Sequence, residues 1–98
     1  MLTRLRAVLA HTYGERLERV VLFGSRARGD FRPDPDYDIA MFIREPGAWI
    51  DEVVRLSDLG TDILMDTGAV MSVKPFRAGC YDDALPLMAE IRRDGRDL

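Results

Sequence analysis

An α/β (α+β) sandwich, a small mixed β-sheet of three to four strands packed against helices, is the fold class the sequence predicts. Three observations predict it. Apolar runs of strand character alternate along the chain with stretches of helical spacing. Gly and Pro fall at the junctions between them. A chain of 98 residues with 47 % hydrophobic content supplies one core and not two, so residues 1–98 are read as a single domain.

The elements follow in order. From Leu2 to Tyr13, Leu2, Leu5, Ala7, Val8 and Leu9 form a helical stripe, and Gly14 just beyond is a stop signal. Arg19 to Phe23 is a β-branched, apolar run closed by Gly24, the pattern of a short buried strand. Ser25 to Pro35 is polar, with Gly29, Pro33 and Pro35, and predicts a short helical turn and then a loop outside the core. Asp36 to Ile43 alternates at first and then becomes apolar, as a strand does when its first end is exposed and its body buried; Pro46 and Gly47 terminate it. From Ala48 to about Asp66, Trp49, Ile50, Val53, Val54, Leu56, Leu59, Ile63 and Leu64 recur at three- and four-residue spacing. This predicts a core helix, bent or interrupted near Gly60 and ended by Gly68, part of whose surface is free for a partner. Ala69 to Phe76 is a third strand, and Asp82 to Arg93 a last helix with Pro86 in its first turn. No internal repeat or low-complexity tract interrupts the series.

Charged residues make up 32 % of the chain and the net charge is -3, so the overall balance gives no electrostatic reason for strong binding to nucleic acid or an anionic membrane. Cys80 is the sole cysteine, and the sequence has neither a signal peptide nor an apolar run of membrane-spanning length, so a cytoplasmic location is expected. Lys74 is the one lysine among basic residues that are otherwise arginine, and no function is read from it. His11 reads as a helix-end surface residue and Cys80 as a half-buried thiol.

The chemistry concentrates between residues 24 and 38. Gly24-Ser25 directly follows a strand and opens a polar stretch able to start a short helix, whose unpaired N–H groups and positive dipole end suit a phosphate. Glycine allows close approach and the Ser25 hydroxyl adds a donor. Asp36 and Asp38 stand two apart on a strand, so their side chains share a face about 7 Å apart along the backbone. Taken alone, Asp-x-Asp is the pattern of a solvated strand entry. Facing a phosphate turn, the pair supplies what Mg²⁺ needs from a protein: one or two carboxylates, the remaining ligands being phosphate oxygens and water.

Gly24-Ser25, ten intervening residues and Asp36-Tyr37-Asp38 together resemble the signature of the DNA polymerase β-type nucleotidyltransferase superfamily. The wider segments Val20 to Asp30 and Pro33 to Ala40, with the ending from Ile91, are similar to its small stand-alone branch, the minimal nucleotidyltransferases or MNT domains. The resemblance implies the polymerase β-type nucleotidyltransferase fold. It implies nucleotide binding by Gly24, Ser25, Arg26 and Arg28, with Arg32 as a further charge, and catalysis and metal binding by Asp36 and Asp38 with magnesium as cofactor. The implied activity is transfer of AMP from ATP to a hydroxyl, and the implied partner is a HEPN-domain toxin, adenylylated on a tyrosine by the MNT protein acting as antitoxin. A small-molecule nucleotidyltransferase is less expected, because those enzymes carry a further domain.

The sequence departs from the superfamily pattern in one respect. A third carboxylate belongs on the next core strand, where it shares a metal and helps to deprotonate the acceptor. Ala69 to Phe76 holds no acid, and Ser72 or a neighbour stands where one is expected. Asp62 and Asp66 belong to the preceding helix and are poor replacements. The alternative to an enzyme is therefore a catalytically impaired nucleotide-binding module that neutralises its partner by contact.

Overall fold

The computed structural model describes residues 2–29 and 36–98. Helix α1 (Leu2–Tyr13) turns Leu5, Leu9 and Tyr13, each four residues from the last, into the core. Gly14, at φ 55°, starts a 3₁₀ turn that delivers the chain into strand β1 (Leu17–Phe23). A four-residue helix α2 (Ser25–Arg28) follows, and strand β2 (Asp36–Ile43) occupies the expected residues. Helix α3 (Trp49–Thr67) ends at Gly68, whose left-handed backbone (φ 74°) lets its N–H donate to the Leu64 carbonyl at 2.8 Å. Strand β3 (Val70–Arg77), a 3₁₀ turn (Cys80–Asp82), helix α4 (Pro86–Asp94) and a two-residue strand β4 (Arg96–Asp97) complete the chain.

The sheet order is β3-β2-β1-β4. β1 runs antiparallel to both β2 and β4, while β2 and β3 are parallel, which requires a long crossover, and α3 is that crossover. The mixed sheet with helices on both faces is the predicted fold class. One face carries Val20, Leu22, Ile39, Met41, Ile43 and Met71 beneath α1 and α3, where Leu56 and Ile63 pack. The other carries Val21, Phe23, Ala40 and Phe42 beneath Met88 and Ile91 of α4. Phe42 stacks on Phe76 at 5.5 Å and meets Tyr81 edge-on at 5.7 Å.

Three expectations are corrected. α3 runs unbroken through Gly60, because the glycine serves packing: a Cβ there would stand 3.2 Å from the Met71 carbonyl oxygen on β3. Trp49, Ile50, Val53, Val54 and Leu64 are exposed, Ile50 by 68 %, because α3 rests on the sheet through the narrower row Glu52, Leu56 and Ile63. The segment after Gly24 is not wholly outside the core, since Ala27 is buried. β4 supplies the fourth of the expected three to four strands, on residues to which the sequence assigns no element; Leu98 N–H donates to the Val20 carbonyl at 2.9 Å just beyond it. The expected loop around Arg32, Pro33 and Pro35 lies outside the described residues, as does the Ser25 side chain. Among the described residues no helix is long and apolar enough to cross a membrane.

Candidate nucleotide and metal site

β1 leaves the sheet at Phe23, and Phe23 is paired with Asp38 on β2. Gly24 is therefore brought against the first turn of β2. Its φ of +74° is a conformation in which other residues are strained, and a Cβ at position 24 would come within 2.5 Å of Asp38 Oδ2. Both facts demand glycine, and the second places the Asp38 carboxylate against the backbone of the turn. α2 begins at the next residue, and its one turn is closed by the Arg28 N–H donating to the Gly24 carbonyl at 3.2 Å. The first N–H groups of such a turn have no partner within it.

Strand alternation assigns the faces. Asp36, Asp38, Ala40 and Phe42 share one face, and the register places Val70, Ser72, Lys74 and Phe76 of β3 beside them. This is the α4 face, but α4 packs over Val21, Phe23, Ala40 and Phe42. Asp36 is exposed and Asp38 half-buried, so the start of β2 stays open to a ligand. The expected pair thus lies on one face, beside the expected glycine.

Ser72 is the direct cross-strand neighbour of Asp38. It is the position the sequence marked as lacking an acid. Asp62 and Asp66 sit on α3, which covers the opposite face, and Asp66 is engaged by Arg4 at 2.7 Å. Among the described residues, no three His, Cys, Asp or Glu side chains are grouped to hold a metal. The donor set fits Mg²⁺ all the same, because hard carboxylate oxygens meet a glycine turn that a Cβ would fill, leaving the other ligand positions to phosphate and water. Asp36 and Asp38 are the residues that would hold it.

The two arginines expected at the nucleotide have other contacts. Arg26 lies 4.5 Å from the ring centre of Tyr37, whose side chain projects from the opposite face of β2 to the aspartates. Arg28 pairs with Glu90 of α4 at 3.4 Å, tying the turn after Gly24 to the helix beside it. Two residues on the site face have no site role in the sequence reading: Phe23, and Lys74, whose Nζ stands 5.6 Å from the Phe23 ring centre. Two-residue alternation counted onward from Ser72 would have found Lys74. His11 is exposed and Cys80 half-buried, as expected, and burial pushes the Cys80 thiol up from its ordinary pKa, with Asp83 adding to the effect.

A strand and turn thus bring a glycine against one of two same-face aspartates at the edge of a mixed α/β domain. Residues 5–77 match the sequence model of the polymerase beta nucleotidyltransferase family, and the chain belongs to that family. No curated protein matches it in sequence. Among solved structures, it is similar to a toxin–antitoxin complex crystallised with AMP-PNP, at 14 % identity and a TM-score of 0.66 over 99 % of this chain and 72 % of that one. A MntA–HpeT toxin–antitoxin mutant, in which two aspartates two residues apart are replaced by glutamate, matches at 13 % identity and TM-score 0.66 over 96 % and 69 %. A protein from Sulfolobus solfataricus, provisionally described as a nucleotidyltransferase, matches at 21 % identity and TM-score 0.62 over 98 % and 75 %. These likenesses establish the nucleotidyltransferase fold.

Proposed function

We propose that the chain is a Mg²⁺-dependent nucleotidyltransferase that moves AMP from ATP onto a hydroxyl, with a tyrosine of a HEPN-type toxin as acceptor, and so acts as an antitoxin. The observation that carries this reading is the Asp36–Asp38 pair on one face of β2 with the Asp38 carboxylate against Gly24. Family membership supports the reaction class. The choice of nucleotide and partner draws on the similarity to toxin–antitoxin complexes, one of them with AMP-PNP.

The residues divide the work by position. Gly24 lets a phosphate approach the backbone, and the α2 N–H groups donate to its oxygens. Asp36 and Asp38 would hold the divalent ion, which would supply charge neutralisation at the phosphates and polarisation of the α-phosphate. The acceptor oxygen attacks the α-phosphorus while the bond to the β-phosphate bridging oxygen breaks. Pyrophosphate leaves and the hydroxyl proton passes to water. Catalysis is then mainly orientation and electrostatics.

A second reading is favoured by Ser72. With a serine rather than an acid beside Asp38, β3 offers no carboxylate to accept the hydroxyl proton, and the domain binds nucleotide or partner without turnover. Incubating the protein with labelled ATP, Mg²⁺ and the product of the neighbouring gene separates the two. Transfer of label to the partner, lost in the double variant Asp36→Asn with Asp38→Asn, supports the enzyme; tight binding without label supports the binding module.

A further inference from the structure

We infer that Lys74 is a phosphate-contacting residue of this site, the cation that strand β3 contributes beside Asp38; the inference rests on the nucleotide reading proposed above. The register puts Lys74 opposite Ala40 and two residues beyond Ser72, on the aspartate face. Stacking of Phe76 on Phe42 confirms that these alternate β3 positions lie on the α4 side of the sheet. Ala40 is a small buried residue, so the lysine stem can cross β2 above it, and Nζ reaches the ring of Phe23 on β1, 5.6 Å from its centre. Phe23 is the residue paired with Asp38. The ammonium thus stands over the strand position next to the half-buried aspartate and one residue before the Gly24 turn.

Charge makes this placement informative. Lys74 is exposed and, among the described residues, forms no ion pair. Arg28, in contrast, is engaged by Glu90, and Arg26 lies against Tyr37, on the other side of β2. A triphosphate brings about four negative charges, more than one divalent ion neutralises, and an uncommitted ammonium at the end of a flexible stem suits a phosphate oxygen. Ser72 leaves room beside it where a longer acidic side chain would have paired with the lysine. Lys74 and Ser72 therefore form one arrangement: β3 presents a positive charge to the ligand, whereas a carboxylate there would have presented a negative one.

A lysine that merely shields Phe23 with its stem would behave differently on substitution, because methionine keeps the stem and removes the charge. Binding of AMP-PNP with Mg²⁺ is measured by titration calorimetry for the wild type, Lys74→Met and Lys74→Arg. Loss of about tenfold or more in affinity for Lys74→Met, with Lys74→Arg within about threefold of wild type, is expected of a phosphate contact. Because Lys74 is the only lysine, its acylation by acetic anhydride can be followed by mass spectrometry of the peptide that contains it. AMP-PNP and tripolyphosphate should both slow the modification, and adenosine should not. Lys74→Met binding equal to the wild type, or protection by adenosine but not by tripolyphosphate, overturns the assignment while leaving the nucleotide reading intact. Failure of the wild-type protein to bind AMP-PNP overturns both.

Discussion

The two ends of the sheet treat acidic side chains in opposite ways. At the end where β1 begins, Glu52 is 2 % exposed and lies between Arg16 at 3.7 Å and Arg55 at 3.5 Å, with Tyr13 beside it. At the end where β1 finishes, Asp38 is half-buried, stands against a glycine, and makes no ion pair among the described residues. Burying a carboxylate demands compensation, and the first end supplies it from the protein at Glu52 Oε1, while Oε2 has no hydrogen-bond partner among the described residues. The second leaves its carboxylate half-buried with no ion pair among the described residues. An acid closed in by arginines serves the fold, and an acid held open beside a glycine turn is, in the proposed function, the one that serves a ligand.

Substitutions at the two ends should therefore separate activity from stability. The largest effect is expected from Asp38→Asn, which should lower the rate of nucleotidyl transfer by at least about a thousandfold, or about 4 kcal/mol, with the thermal midpoint nearly unchanged. Gly24→Ala should affect both properties. It places a Cβ against Asp38 Oδ2 and a side chain at φ +74°, so a stability loss of about 1–2 kcal/mol in urea unfolding and weaker AMP-PNP binding are expected. Glu52→Gln should do the reverse of Asp38→Asn. It should cost about 1–2 kcal/mol in the same unfolding assay, a moderate figure because both arginines are partly exposed and water replaces part of the lost interaction, while AMP-PNP affinity stays as in the wild type. Loss of nucleotide affinity in Glu52→Gln would break the contrast between the ends.

The smallest effect concerns Tyr13. Burial, and then the neighbouring Glu52, pushes its phenol above the ordinary value, and its hydroxyl has no hydrogen-bond partner among the described residues. The unfolded chain thus releases this proton first, so the contribution of Tyr13 to stability is intact below about pH 10 and declines as the pH rises beyond it. Tyr13→Phe should remove that alkaline decline and change stability at neutral pH by less than about 1 kcal/mol, measured by urea unfolding across the pH range.

The site end was the more legible of the two in the sequence. Gly24, Asp36 and Asp38 lie within fifteen residues, and their relation depends on local rules: a strand closed by glycine, and a two-residue period along β2. The limits of α1 and β2 were also read correctly, since each is bounded by a change of composition. The closed end was not legible, because a glutamate in the first turn of an amphipathic helix reads as solvent-facing until Tyr13, Arg16 and Arg55 are brought around it. β4 exists only through its pairing with β1, some seventy residues earlier, and two residues carry no periodic signal. Alternation along β3 places Lys74 on the face of Ser72, but only the parallel register with β2 sets it opposite Ala40.

The central claim is that the open end binds a metal–nucleotide complex through Asp36 and Asp38. Its most direct test is calorimetric titration of AMP-PNP with and without Mg²⁺ into the wild type, Glu52→Gln and the double variant Asp36→Asn with Asp38→Asn. The account predicts that Mg²⁺ tightens binding at least about tenfold in the first two and leaves the double variant's weak binding unchanged. Equal enhancement by Mg²⁺ in all three proteins would contradict it.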